Sequence, residues 1–153
     1  MESSLFVGNP LQTSGAQTIQ FLEGKAAGLK MIRMYNEAGL SMLVAPDRGM
    51  DIPELKVHGT NISFVSVTGF VNSTYFVEQG ATGFMRNFNV GFLTTGGLSY
   101  MGAPKDPARG LHGTIGNTPA ENFYHQDNGQ AIVAQGDVRE AEMFGVNLLL
   151  KRR

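Results

Sequence analysis

Apolar residues along this chain fall in short runs separated by polar, glycine-rich breaks, and the runs have the length and β-compatible composition of strands. Thr18 to Leu22 reads as the first. Gly28 to Tyr35 and Leu40 to Ala45 form a pair joined by Asn36-Glu37-Ala38-Gly39, a loop with the length and the glycine of a hairpin connection. Pro46-Asp47-Arg48-Gly49 then breaks the strand. Ile52 to Val57 and Ile62 to Val67 are expected to pair across His58-Gly59-Thr60-Asn61. Ala120 to His125 and Ala131 to Val138 flank Gln126-Asp127-Asn128-Gly129, where the Asn-Gly step is a strong tight-turn signal. Phe144 to Leu150 makes the last strand. Between these, Tyr75 to Asn89 is aromatic and glycine-rich with no period of two, and predicts a short helix or a long ordered loop. Gly91 to Leu98 is another apolar run, and Gly102 to Gly110 is a proline-containing loop that ends in Leu111-His112-Gly113. Residues 1 to 16 are polar and turn-rich. No stretch carries a sustained apolar stripe at helical spacing.

The pattern predicts a single many-stranded, all-β domain over residues 1–153. Its last strand runs straight into Lys151-Arg152-Arg153 with no closing element. The domain is therefore expected to be incomplete, with an exposed edge covered by another copy or completed in a longer protein. The three terminal charges themselves are read as solvated.

Composition sharpens this picture. The 20 glycines are about twice the usual ~7% share, as frequent turns require. Hydrophobic residues make up 42% and charged residues 16%, figures that suit a folded domain with its own core. A formal net charge of -1 provides no field for nucleic acid or an anionic membrane. No apolar stretch approaches the roughly 20 residues that span a bilayer, and the N-terminus lacks the basic start and apolar run of a secretory signal. With no cysteines, disulfides, thiolate metal sites and cysteine nucleophiles are excluded. The expectation is a soluble, cytoplasmic protein.

His112 is the best single candidate for chemistry. It follows a proline-rich loop, and imidazole donates or accepts a proton near neutrality; the bland alternative is a loop histidine that caps backbone. Arg86 lies among Phe84 and Phe88, where a planar guanidinium suits binding of hydroxyls or a carboxylate, or simply stacks. Asp47, Arg48 and Asp51 crowd into one turn. The carboxylates there suit sugar hydroxyls or a cation, while the alternative is an Asx-type turn at Asp47 with Arg48 paired locally. Glu121 is a candidate for the same cleft as His112. His58 and His125 are read as turn residues facing solvent. Phosphate-loop, dinucleotide, zinc-protease and serine-hydrolase signatures are missing, and the histidines have no convincing zinc-ligand spacing. The reading calls for no metal and no cofactor.

Three segments taken together carry a resemblance: Pro46-Asp47-Arg48-Gly49-Met50-Asp51-Ile52, then Gly91-Phe92-Leu93-Thr94-Thr95-Gly96-Gly97-Leu98, then Gly110-Leu111-His112-Gly113 continuing to Asn117-Thr118-Pro119-Ala120. Val138-Arg139-Glu140-Ala141 with Phe144-Gly145 also fits. Their order and spacing resemble the DUF4432 branch of the aldose 1-epimerase (galactose mutarotase-like) superfamily over nearly all of the chain. The resemblance implies an antiparallel β-sandwich, the galactose mutarotase-like supersandwich, here incomplete, with a carbohydrate in a cleft on one sheet face. It implies that His112 contacts the sugar near its reacting end, and that an upstream arginine, matched here by Arg86, binds hydroxyls. Such proteins are about twice this length, and their second histidine and glutamate base come from the later half. Anomer exchange needs an acid–base pair, so this chain alone is expected to be a weak or inactive isomerase. A noncatalytic carbohydrate-binding module and a self-associating structural β domain are the competing readings.

Overall fold

The computed structural model describes residues 6–153, so the expected irregular start at residues 1–5 lies outside it. The described residues form two antiparallel sheets. The first contains β1 (Gly15–Gln20), β2 (Lys30–Tyr35), β3 (Leu40–Ala45), β4 (Asp51–Val57) and β5 (Thr60–Asn61), in chain order across the sheet. The second contains β6 (Glu121–Asp127), β7 (Ile132–Ala141) and β8 (Asn147–Arg152), again in order. Neither sheet closes on itself. The fold is all-β apart from short 3₁₀ turns and one eight-residue helix among the described residues, α1 (Gly80–Asn87).

Local chemistry accounts for the hairpins. Between β2 and β3, the Asn36 side chain accepts from the Leu40 amide at 3.1 Å, and Gly39 supplies a φ of 82°. Between β6 and β7, Asn128 Oδ1 accepts from the amides of Gln130 and Ala131. Pro46 opens a 3₁₀ turn that ends β3, and Gly49 (φ 66°) and Met50 (φ 60°) then reverse the chain into β4. Gly49 has no substitute there, because a Cβ would stand 2.8 Å from the Ile115 carbonyl oxygen. This turn brings Asp51 opposite Ala45, with a register shift after Leu43.

Strand alternation divides the core in two. Ile32, Met34 and Val44 point from the first sheet toward the second and pack with Met50, Ile115 and Val138. Met31, Leu43 and Ala45 bury the opposite face with Leu29, against Ile19, Phe21 and Phe70. Both faces of β2 and β3 are thus covered, and their near-continuous apolar sequence follows from that.

Several expected boundaries shift. The first strand is Gly15–Gln20 rather than 18–22, and the last is Asn147–Arg152 rather than 144–150. The 75–89 region contains the short helix. Ile62 to Val67 is not a strand: pairing with β4 stops at Asn61. Ser63 replaces the ladder, accepting from the Leu55 amide at 2.6 Å, while Ile62, Phe64, Val65 and Val67 stand exposed. Gly91 to Leu98 is also irregular, tied to β4 through one bridge between Leu93 and Ile52. Among the described residues no helix is long and apolar enough to cross a membrane.

Candidate functional site

The loop after α1, which carries His112, is fastened back around the start of that helix. The amide of Gly110 donates to Glu78 Oε1 at 2.6 Å, and the amide of Gly80, at the start of α1, donates to the Ala108 carbonyl at 2.9 Å. His112 itself sits in the left-handed region with φ 63°, a conformation uncommon for residues other than glycine. Three hydrogen bonds hold it. Its amide donates to Gly102 O at 2.9 Å, its carbonyl accepts from Gly97 N at 2.8 Å, and its Nδ1 accepts from Gly102 N at 3.1 Å. Because Nδ1 accepts, the neutral ring carries its proton on Nε2, which is left as a donor. The ring stands edge-on to Phe84, centroids 5.3 Å apart. The next residue must be glycine: Gly113 has φ 73°, and a Cβ there would run into the Gly97 carbonyl.

A buried carboxylate fixes the facing loop. Glu140, on β7, accepts from the amides of Leu98 (2.7 Å) and Ser99 (3.1 Å) and from Ser99 Oγ (2.5 Å). Glu140 therefore holds the segment whose Gly97 amide bonds the His112 carbonyl.

A second group approaches from β4 and β8. Asp51 is 3% exposed. Its Oδ1 accepts from Thr95 N at 2.9 Å, Thr95 Oγ1 at 2.5 Å and Arg152 Nη1 at 3.2 Å. Burial nonetheless raises its pKa from 3.8 to about 6, outweighing Thr95, Arg152 and Arg48, which all favour the anion. Arg152 also donates to Gly49 O at 3.0 Å and to Thr95 Oγ1.

Arg48 is 4% exposed and crosses to the C-terminal end of α1. Its Nη2 donates to the Asn87 carbonyl at 2.8 Å and its Nη1 to Asn87 Oδ1. Burial lowers its pKa to about 10, only partly opposed by Asp51.

These groups surround a hollow of about 190 Å³. Arg48, Asp51, Asn87, Asn117 and His112 provide its polar lining, and Phe84, Phe88 and Met101 its apolar side. The volume is below the ~300–1,000 Å³ of sites for drug-sized molecules, so it suits a ligand of about one ring. Three of its lining residues carry buried polar atoms with no hydrogen-bond partner among the described residues: Arg48 Nε, Asn87 Nδ2 and Asn117 Oδ1. Unpaired buried groups are rare, and each costs roughly 1–3 kcal/mol. Two such donors and an acceptor, on residues that line one hollow beside an imidazole, suit a hydroxyl-bearing ligand that they reach by side-chain rotation. Larger clefts elsewhere lack such a cluster of orphaned atoms.

Of the residues singled out from sequence, His112, Arg48 and Asp51 meet at this hollow. Asp47 does not: its Oδ2 accepts from the Lys30 amide at 2.8 Å, which ties the turn to β2 rather than closing an Asx turn. Arg48 likewise makes no local ion pair. Arg86 lies on the exposed side of α1 and donates to Gln79 Oε1 at 3.1 Å. Glu121 is exposed on β6, 3.8 Å from Arg139. His58 is exposed in its turn, whereas His125 is half-buried within β6. The reading of the terminal charges as solvated fails for Arg152, which β8 carries to Asp51. Asn87, Asn117 and Glu140 were not singled out as site residues, although all three lie in or beside segments that the family resemblance had marked or predicted to be ordered.

Comparison with known proteins agrees with this architecture. A crystal structure described as a "putative aldose 1-epimerase" from Klebsiella pneumoniae subsp. pneumoniae MGH 78578 matches 95% of this chain with a TM-score of 0.76 and 24% sequence identity. The match takes in 40% of that protein's chain. At this identity the likeness shows the fold, and the galactose mutarotase-like β fold implied by the sequence resemblance is the one observed. No curated protein matches the chain. The model of the family described as "Domain of unknown function (DUF4432)" matches residues 26–153, from just before β2 through the end of β8, so it takes in every strand but β1 and every residue that lines the hollow. The chain belongs to the DUF4432 family.

Proposed function

We propose that the hollow beside His112 binds a monosaccharide. The observation that carries this reading is a ring-sized hollow lined by His112, Arg48, Asn87 and Asn117, of which the last three also carry buried polar atoms without a partner among the described residues. Sugar hydroxyls both donate and accept, and so satisfy this mixed set, while a pyranose face packs against Phe84 and Met101. The fold shared with a protein described as an aldose 1-epimerase supports the same ligand class.

In this reading His112 donates from Nε2 to an oxygen of the sugar. Anomer exchange also requires a group to remove the C1 hydroxyl proton. Asp51 is the carboxylate that lines the hollow, but its Oδ1 is already committed to Thr95 and Arg152. The chain by itself therefore binds sugar and exchanges anomers slowly or not at all. Aldoses titrated into the protein and followed by NMR are expected to shift the resonances of His112 and Asn87. Polarimetry is expected to show mutarotation near the buffer rate. His112→Ala is expected to weaken binding about tenfold. Fast exchange that disappears in His112→Ala would show that this chain holds a complete acid–base pair. Absence of any sugar-dependent shift at the hollow would end the reading.

A second reading rests on a different observation. β8 is the outer strand of its sheet and carries the partly exposed Leu148 and Leu149. An unpaired edge of this kind favours association with a second copy. Light scattering distinguishes it: a dimer at micromolar concentration supports edge pairing, and a monomer excludes it.

A further inference from the structure

Arg48 is unusual among the charged groups of this chain. It is buried, yet no carboxylate lies within 4 Å of it among the described residues, where every ion pair involves other residues. Its acceptors are all neutral: the Val71 carbonyl at 3.4 Å, the Asn87 carbonyl and Asn87 Oδ1. Its role in capping α1 accounts for Nη1 and Nη2 and leaves Nε without a partner. A desolvated cation among neutral dipoles is costly unless an anion approaches it.

The remaining charges around the hollow do not supply that anion. Asp51 lines the same hollow, but Arg152 neutralises it at 3.2 Å. Arg48 therefore has no carboxylate of its own at the hollow. Asn87, whose oxygens accept from Arg48, itself keeps a second unpaired donor, Nδ2. Both unpaired donors are closed off from solvent, so a ligand reaches them through side-chain rotations at the end of α1.

We infer that the sugar bound here carries an anionic substituent, a carboxylate such as that of a uronic acid, which the Arg48 and Asn87 donors take while His112 meets the ring. The inference rests on the proposed sugar site and names its substrate class. A charge-assisted bond from guanidinium to carboxylate is roughly twice as strong as its neutral counterpart, and strongest where water is excluded.

The test compares four compounds on the intact chain by calorimetry and by amide NMR: glucuronate, galacturonate, and the neutral glucose and methyl glucuronate ester. Expected are dissociation constants at least about tenfold lower for a uronate than for either neutral compound, with shifts at Asn87 and His112. Arg48→Lys, which keeps the charge but lacks Nε, is expected to lose most of that preference. The ester comparison needs no variant, so the test holds if Arg48→Lys fails to fold. Equal affinity for uronates and neutral sugars at the hollow would overturn the inference and leave sugar binding intact. Uronate binding that shifts only the Lys151 to Arg153 end would also overturn it. Binding of none of the four would remove both readings.

Discussion

At the scale of single residues, Asp51 makes stability depend on pH. Its folded pKa of about 6 stands above the 3.8 of an ordinary aspartate, so the folded protein favours the protonated form. Below about pH 3.8 the group is neutral in both states and imposes no cost. Between about 3.8 and 6 the unfolded chain ionises while the folded one does not, and stability falls. Above about 6 the loss is complete, and a shift of this size corresponds to about 3 kcal/mol. Asp51→Asn cannot ionise and keeps an oxygen for Thr95. Urea unfolding of the two proteins is expected to give similar stabilities near pH 4. The variant is then expected to gain by up to about 3 kcal/mol as pH rises to 7, with the difference level beyond. A difference that does not change with pH would show that Asp51 ionises in the folded state like an exposed aspartate.

At the scale of elements, legibility followed the range of the signal. The β2–β3 and β6–β7 hairpins were visible because a turn residue and its flanking strands lie within about a dozen positions, and Asn36, Gly39 and Asn128 act locally. Ile62 to Val67 has the same apolar composition as a strand and was misread. What separates it from β4 is Ser63, whose hydroxyl takes the Leu55 amide and donates to the Leu55 carbonyl at 3.4 Å. A local side-chain bond of this kind competes with the ladder, and no alternation pattern reveals it. Leu55 is buried, so Ser63→Ala leaves its amide unpaired. The expected cost is roughly 1–2 kcal/mol, with faster hydrogen exchange at the Leu55 amide and little change in β2. Unchanged exchange at Leu55 would mean that water or a neighbouring strand replaces the hydroxyl. The glycine of the Leu-His-Gly motif has a structural reason of its own: Gly113 has φ 73°, and a Cβ there would meet the Gly97 carbonyl.

At the scale of the whole molecule, the site is an assembly of distant segments. Arg48, Asn87, His112 and Arg152 span most of the chain, and only tertiary packing brings them together. The basic run at the end could not announce that one of its members turns inward. Arg152 connects the second sheet to the hollow, since its Nη1 reaches Gly49, Thr95 and Asp51 at once. Two contributions are mixed in that contact: hydrogen bonds, which operate at any pH, and charge compensation, which operates only while Asp51 is ionised. Arg152→Met keeps much of the side-chain volume and removes both. At pH 5 Asp51 is largely protonated and needs no cation, so the expected loss is about 1 kcal/mol from the hydrogen bonds. At pH 8 the carboxylate is charged and buried without its partner, and the loss grows to roughly 2–3 kcal/mol, below that of a fully buried pair because the Arg152 side chain is 21% exposed. In an Asp51→Asn background the pH dependence of that loss is expected to vanish, which a double-mutant cycle in urea measures directly. Equal losses at pH 5 and pH 8 would mean that Arg152 holds β8 to β4 by packing and neutral hydrogen bonds alone. Asp51 would then be free to serve as the counter-charge of Arg48, and that guanidinium would have no need of an anionic sugar.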